Sequence, residues 1–143
     1  GMSQEDVSLA LRQPWVSVNN DSQGTAPDGI LGQEHPHPRA YGTFPRILGH
    51  YVREEKVISM EEAVWKLTGF PARKLGLRDR GLVKKGHWAD LTLFDPERVA
   101  DKATYVSPHQ YPEGIPHVLV RGMFVVRDGV HTGARPAGVL PRP

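Results

Sequence analysis

Three groups of side chains in this 143-residue sequence could do chemistry. The first is Asp21, which follows Trp15-Val16-Ser17-Val18-Asn19-Asn20 at the end of a short apolar run. A carboxylate at the carboxyl end of a strand in an α/β fold stands where ligands bind, so it can hold a metal ion or move a proton. Asn19, Asn20 and Ser22 also suit a simple Asx turn, and local chemistry alone favours the turn. The second group is Gln33-Glu34-His35-Pro36-His37-Pro38-Arg39. A His-x-His pair on a strand can grip one zinc ion, because alternate side chains share a face. Here each histidine precedes a proline, which biases the backbone toward polyproline II and its period of three. Surface histidines fit better, as does a loop that lends His37 and Arg39 to an anionic substrate, since a guanidinium meets a carboxylate with two parallel donors. The third group, His87, His109, His117 and His131, has no ligand spacing and reads as satisfied or exposed histidines. No G-x-S-x-G elbow and no glycine-rich phosphate loop accompanies them.

The elements that must position these groups are legible in part. Ser3 caps an expected amphipathic helix through Leu11, with Glu5 and Asp6 facing the helix dipole. Pro14 ends it, and Trp15, Val16 and Val18 predict a strand buried on both faces. From Ser22 to Gly42 glycine and proline punctuate the chain so densely that a loop of about twenty residues is expected, a length usually reserved for function or disorder. Phe44, Ile47, Leu48, Tyr51 and Val52 recur at helical spacing. Ser59 and Glu62 predict a capping box ahead of a helix that Gly69 and Pro71 stop, and a last helical turn runs from Pro71 to Leu75 and ends at Gly76. Strands follow: Ala89 to Asp95, then a hairpin from Val118 to Val126 turning at Arg121-Gly122, with a second turn at Asp128-Gly129. The tail from Gly133 to Pro143 is expected on a surface.

Composition narrows the class. Hydrophobic residues make up 38% of the chain, enough for a modest core, and 15 glycines with 13 prolines imply many loops. The net charge of +2 comes from interspersed charges without a basic stripe, so neither nucleic acid nor a membrane surface is an expected partner. There is no cysteine, hence no disulfide framework and no thiolate metal site, which fits a reducing cytoplasm. No apolar run approaches the roughly 20 residues of a membrane span.

Taken in order, the strand ending in Asp21, HPHPRAYGTFPRILGHYVREE, SMEEAVWKLTGFPARKLGL, RGLVKKGHWADLTLFDPE and VLVRGMFVVRDGVHTGARPAGVLP resemble the carboxyl-terminal part of the N-acyl-D-amino-acid deacylases. These D-aminoacylases belong to the metal-dependent amidohydrolase superfamily, and the resemblance runs from Ser3 to Leu140. It implies an α+β chain: the last helix and strand of a (β/α)₈ barrel, further helices, and then strands of a small β-sandwich. Residues 2–76 would close the barrel and 77–143 would form the sandwich segment and tail. The resemblance also implies that Asp21 is the strand-eight aspartate, which takes a proton from the nucleophilic water and hands it to the departing amine. The family usually has Ser-Asp where this chain has Asn20-Asp21. Asp21 is the single candidate metal ligand, whereas a zinc site needs about three protein ligands. Zinc is thus expected in the parent enzyme and not on this chain alone, which would be inactive by itself. His35, His37 and Arg39 would border the site, the substrate being a small N-acyl amino acid. A lone barrel strand leaves neighbouring surfaces without partners, so a homo-oligomer is expected. The alternative is a non-catalytic interaction or assembly module derived from an amidohydrolase.

Overall fold

The computed structural model describes residues 2–24 and 26–140; the last three positions of the expected surface tail lie outside them. Helix α1 spans Gln4–Leu11. The Ser3 hydroxyl accepts from the Asp6 amide, while the Asp6 carboxylate accepts from the Ser3 amide, so two free helix-end donors are satisfied reciprocally. The helix buries Leu11.

The strand expected over Trp15–Val18 is not formed. The segment begins in a turn at Pro14-Trp15, closed by the Val16 amide on the Gln13 carbonyl at 3.2 Å, and pairs with none of the described strands; Trp15 is 66% exposed. A strand needs a neighbour to satisfy its ladder, and here lysines take that role. Lys66 Nζ donates to the carbonyls of Gln13 and, at 3.1 Å, Val16, and Lys74 Nζ donates to that of Trp15 at 3.2 Å. Val18 still packs against the core.

The expected long loop is also shorter than glycine and proline suggest. A 3₁₀ turn covers Ile30–Gln33, and helix α2, Arg39–Arg46, begins inside the stretch assigned to loop. It runs directly into a π-helical segment, Ile47–Glu54. Pro45 lacks the N–H that a regular ladder needs just before the register widens, and the segment closes on a bond of 2.8 Å from the Glu55 amide to the His50 carbonyl.

Helix α3, Met60–Leu67, is followed at once by α4, Gly69–Lys74, so Gly69 starts a helix rather than only ending one. Ser59 accepts from the Glu62 amide, but no return bond from Glu62 forms; that carboxylate lies 3.8 Å from Lys66 instead. The reciprocal box stands at Ser3 and Asp6. Gly76 ends α4 as expected: at φ 70° it lets its own amide reach the Arg73 carbonyl and the Leu77 amide reach that of Ala72.

Beyond Gly76 a four-stranded antiparallel sheet forms in sequence order: β1 Leu91–Leu93, β2 His117–Val120, β3 Met123–Arg127 and β4 Val130–His131. β1 is shorter than the expected Ala89–Asp95 because the Asp95 amide turns away to the Gly114 carbonyl, while the Asp90 carboxylate takes Arg80 and the Arg121 amide. Both predicted turns are present. Arg121-Gly122 (φ 50° and 77°) and Asp128-Gly129 (φ 53° and 78°) have the two positive φ values that a primed hairpin turn requires.

The core joins Leu11, Ile47, Leu48, Tyr51, Val52, Ile58 and Ala63 to Val99, with Phe94 and Ile115 packed alongside. Its tightest point is backbone on backbone. A Cβ on Gly49 would stand 2.5 Å from the Val99 carbonyl oxygen, and one on Gly114 2.5 Å from the Val99 amide. Gly49→Ala should therefore cost about 1–3 kcal/mol in urea or thermal unfolding. Gly24→Ala, where a methyl meets nothing within 4 Å, should shift stability by less than about 0.5 kcal/mol and serves as the control.

Candidate active site

The Asx turn and the candidate carboxylate turn out to be one object. The Asp21 amide donates to Asn19 Oδ1 at 3.0 Å, and Asp21 itself adopts φ 45°, a left-handed conformation that aspartate tolerates better than most residues. The turn lifts the carboxylate outward, leaving its side chain 82% exposed. Arg39 Nη2 reaches Asp21 Oδ2 at 2.8 Å, so two residues notable for different reasons, 18 positions apart, meet as an ion pair.

Arg39 opens α2, whose N-cap is Pro38, a residue with no side-chain hydrogen bond to give. His37 caps the helix in its place, its Nδ1 accepting from the Arg39 amide at 3.1 Å. The ring proton then sits on Nε2, facing the Tyr105 hydroxyl at 3.1 Å. His35 does not join Asp21; its Nε2 donates to the Tyr105 carbonyl at 2.8 Å. The two histidines of the His-x-His pair thus grip one residue of the strand-rich half rather than a common metal.

Among the other histidines, His109 belongs to the same cluster. Its Nε2 donates to the Glu34 carbonyl at 2.7 Å and its Nδ1 accepts from the Tyr41 hydroxyl at 3.1 Å. His117 accepts from the Asp128 amide and His131 from the Gly133 amide, both serving turns. His87 Nδ1 is buried with no hydrogen-bond partner among the described residues. Sequence reasoning missed Tyr41 and Tyr105. No local spacing links positions nearly 70 residues apart, though the tyrosine of HPHPRAYG stands close to its histidines in the sequence. It also missed His50, whose hydrogen bond to Glu54 holds that carboxyl below its usual range.

Among the described residues no three His, Asp or Glu side chains come together in a way that could hold a metal ion. Asp21 offers one exposed carboxylate already paired with a guanidinium. Zinc wants about three protein ligands, so the described residues do not by themselves fit a zinc centre. What the arrangement does offer is a solvent-facing carboxylate able to accept a proton, beside a cation able to receive an anion.

Residues 18–126 match the amidohydrolase family. The chain belongs to that family. This amidohydrolase chain is 44% identical over 140 residues to the N-acyl-D-aspartate deacylase of Alcaligenes xylosoxydans xylosoxydans, covering 97% of itself and 26% of that protein. A crystal structure of D-aminoacylase superposes with a TM-score of 0.82 at 43% identity, over 93% of this chain and 27% of the other. The N-acyl-D-glutamate deacylase of Bordetella bronchiseptica, complexed with zinc and a phosphonate that mimics the tetrahedral intermediate, superposes with a TM-score of 0.78 at 40% identity, over 87% and 25%. The chain thus spans about a quarter of the length of each of these three proteins. Its α+β architecture with a small antiparallel sheet is that of a portion of this fold. No helix among the described residues is long and apolar enough to cross a membrane.

Proposed function

We propose that this chain supplies the proton-carrying carboxylate of a deacylase that hydrolyses the amide of N-acyl-D-amino acids or related N-acyl compounds. The observation that carries the reading is the Asp21–Arg39 pair at 2.8 Å, set on a left-handed turn in a chain so similar to such deacylases. Asp21 Oδ2 accepts the proton of the attacking water and returns it to the amine nitrogen as the C–N bond breaks. Arg39 holds the substrate carboxylate, and when its guanidinium turns to that anion the Asp21 carboxylate is freed as base. His35 and His37 border the site and fix the loop.

On this reading residues Trp15–Asn20 form the last stave of a (β/α)₈ barrel in the parent enzyme, residues 2–76 close that barrel, and 77–143 belong to a small β-sandwich. Support for this comes from the absence of a strand partner for Trp15–Asn20 among the described residues, since a stave needs strands on both sides. Asp21 is the one metal ligand this chain offers, and the remaining zinc ligands of the parent enzyme come from residues other than those described here, so the chain alone is inactive. Its exposed apolar side chains, Trp15 among them, favour a homo-oligomer when it stands alone, and its cysteine-free sequence suits the cytoplasm.

The test is a hybrid enzyme in which this chain replaces the matching quarter of the Alcaligenes N-acyl-D-aspartate deacylase. Hydrolysis of an N-acyl-D-amino acid by the hybrid is the expected result. A folded, zinc-loaded hybrid without turnover would overturn the reading and favour a non-catalytic assembly module.

A further inference from the structure

We infer that Tyr105 is a positioning residue that sets Arg39 on Asp21, acting through the ring of His37 from a segment nearly 70 residues away. The assignment of Arg39 to the substrate carboxylate rests on the function proposed above; the mechanical coupling does not.

The first residues of an α-helix leave amide donors without intrahelical partners, and in α2 the residue that would normally answer them is a proline. The His37 ring fills the vacancy by accepting from the Arg39 amide at 3.1 Å. A ring can do this only while its Nδ1 lone pair points at that amide. Two contacts to Tyr105 hold the plane. The Nε2–H reaches the Tyr105 hydroxyl at 3.1 Å, and the rings meet edge to face at a centroid distance of 5.0 Å and 80°. Tyr105 is itself pinned from the other side by the bond from His35 Nε2 to its carbonyl at 2.8 Å. A second strut runs parallel: Tyr41, two residues into α2 from Arg39, donates to His109, which donates to the Glu34 carbonyl. The start of α2 is therefore fixed at Glu34, His35, His37 and Tyr41, all against the segment 105–109. Arg39 lies within this grip, and its guanidinium departs from a fixed Cα.

The pairing with Asp21 needs such help. An exposed ion pair gains little by itself because two flexible side chains must be held in one geometry. With the backbone amide of Arg39 fixed, part of that entropy is lost in advance. The sequence carries no sign of this arrangement, since Tyr105 looks like an ordinary exposed residue; 73% of its surface is open to solvent.

The test uses NMR on the intact chain. Slow rotation about the Arg39 Cζ–Nε bond reports its ion pair, and the nitrogen shifts of His37 report which ring nitrogen carries the proton. Wild type should show the Nε2–H form. Tyr105→Phe should speed the rotation about two- to tenfold, the range one lost hydrogen bond allows, and blur the single tautomer. Tyr111→Phe, which removes a neighbouring hydroxyl, should do neither.

Two further variants separate coupling from general loosening. His37→Asn places a carbonyl oxygen where Nδ1 stood and should keep rotation near that of wild type, whereas His37→Gln should speed it as Tyr105→Phe does. In the hybrid enzyme Tyr105→Phe should raise KM severalfold with kcat little changed. Unchanged rotation and tautomer in Tyr105→Phe would overturn the inference, as would equal effects of His37→Asn and His37→Gln. An inactive hybrid with the NMR pattern intact would instead count against the deacylase reading.

Discussion

Asp21→Asn in the hybrid enzyme is expected to lower kcat by about 10²- to 10⁴-fold, the usual contribution of a group that transfers the proton in the transition state. The substitution isolates that role unusually well. The turn at Asp21 depends on its amide, which donates to Asn19, and on a left-handed backbone that asparagine tolerates as readily as aspartate. The side chain keeps its size and can still accept from Arg39, so the fold should persist by circular dichroism and zinc content should fall less than activity. What asparagine cannot do is take a proton from water at neutral pH. Retained turnover in a folded Asp21→Asn hybrid would refute the assigned role.

The second large effect is on stability. Lys66 is 1% exposed, the one buried charged residue among those described, and its ammonium joins the carbonyls of Gln13 and Val16 with Glu62 at 3.8 Å. Lys66→Met keeps the length and apolar bulk of the side chain but leaves two carbonyls without their donor. An unsatisfied buried polar group costs about 1–3 kcal/mol, while removing a buried ammonium returns part of that. The net loss should be about 2–3 kcal/mol, a fall in Tm of roughly 5–10 °C for a chain of this size. Lys74→Met removes the exposed bond to Trp15 and should cost less than about 0.5 kcal/mol. If the two variants prove equal, burial of Lys66 is not what fastens the segment. Because that segment leads to Asp21, Lys66→Met should also depress kcat in the hybrid while Lys74→Met leaves it near wild type.

What was legible in the sequence is what short-range chemistry decides. Arg121-Gly122 and Asp128-Gly129 supply positive φ at adjacent positions, and the hairpins follow. Ser3, Gly76 and the apolar spacing of Ile47, Leu48, Tyr51 and Val52 act within one or two turns of themselves, and each plays its expected part. The errors share a cause in partners that lie far along the chain. Trp15-Val16-Ser17-Val18 has the composition of a strand, but pairing is a property of two segments, and the groups that meet its carbonyls are lysines about 50 or more residues away. The start of α2 is hidden because its cap is an unusual one, a histidine braced by a distant tyrosine. For the same reason the site is half visible. Asp21 and Arg39 can be chosen by residue type, their meeting cannot, and Tyr41, Tyr105 and His109 offer no pattern at all.

The contact at Val99 has a consequence for how this sequence can change. Most crowding in a core sets side chain against side chain, so one substitution can be relieved by trimming the neighbour. At Gly49 and Gly114 the obstacle is the main chain of residue 99 itself, its carbonyl on one side and its amide on the other. Every amino acid brings that same carbonyl, and all but proline that same amide, so no replacement at position 99 makes room. The two glycines are therefore closed to compensated drift: lineages that lose either one must move the backbone or restore the glycine, whatever else in the chain is free to vary.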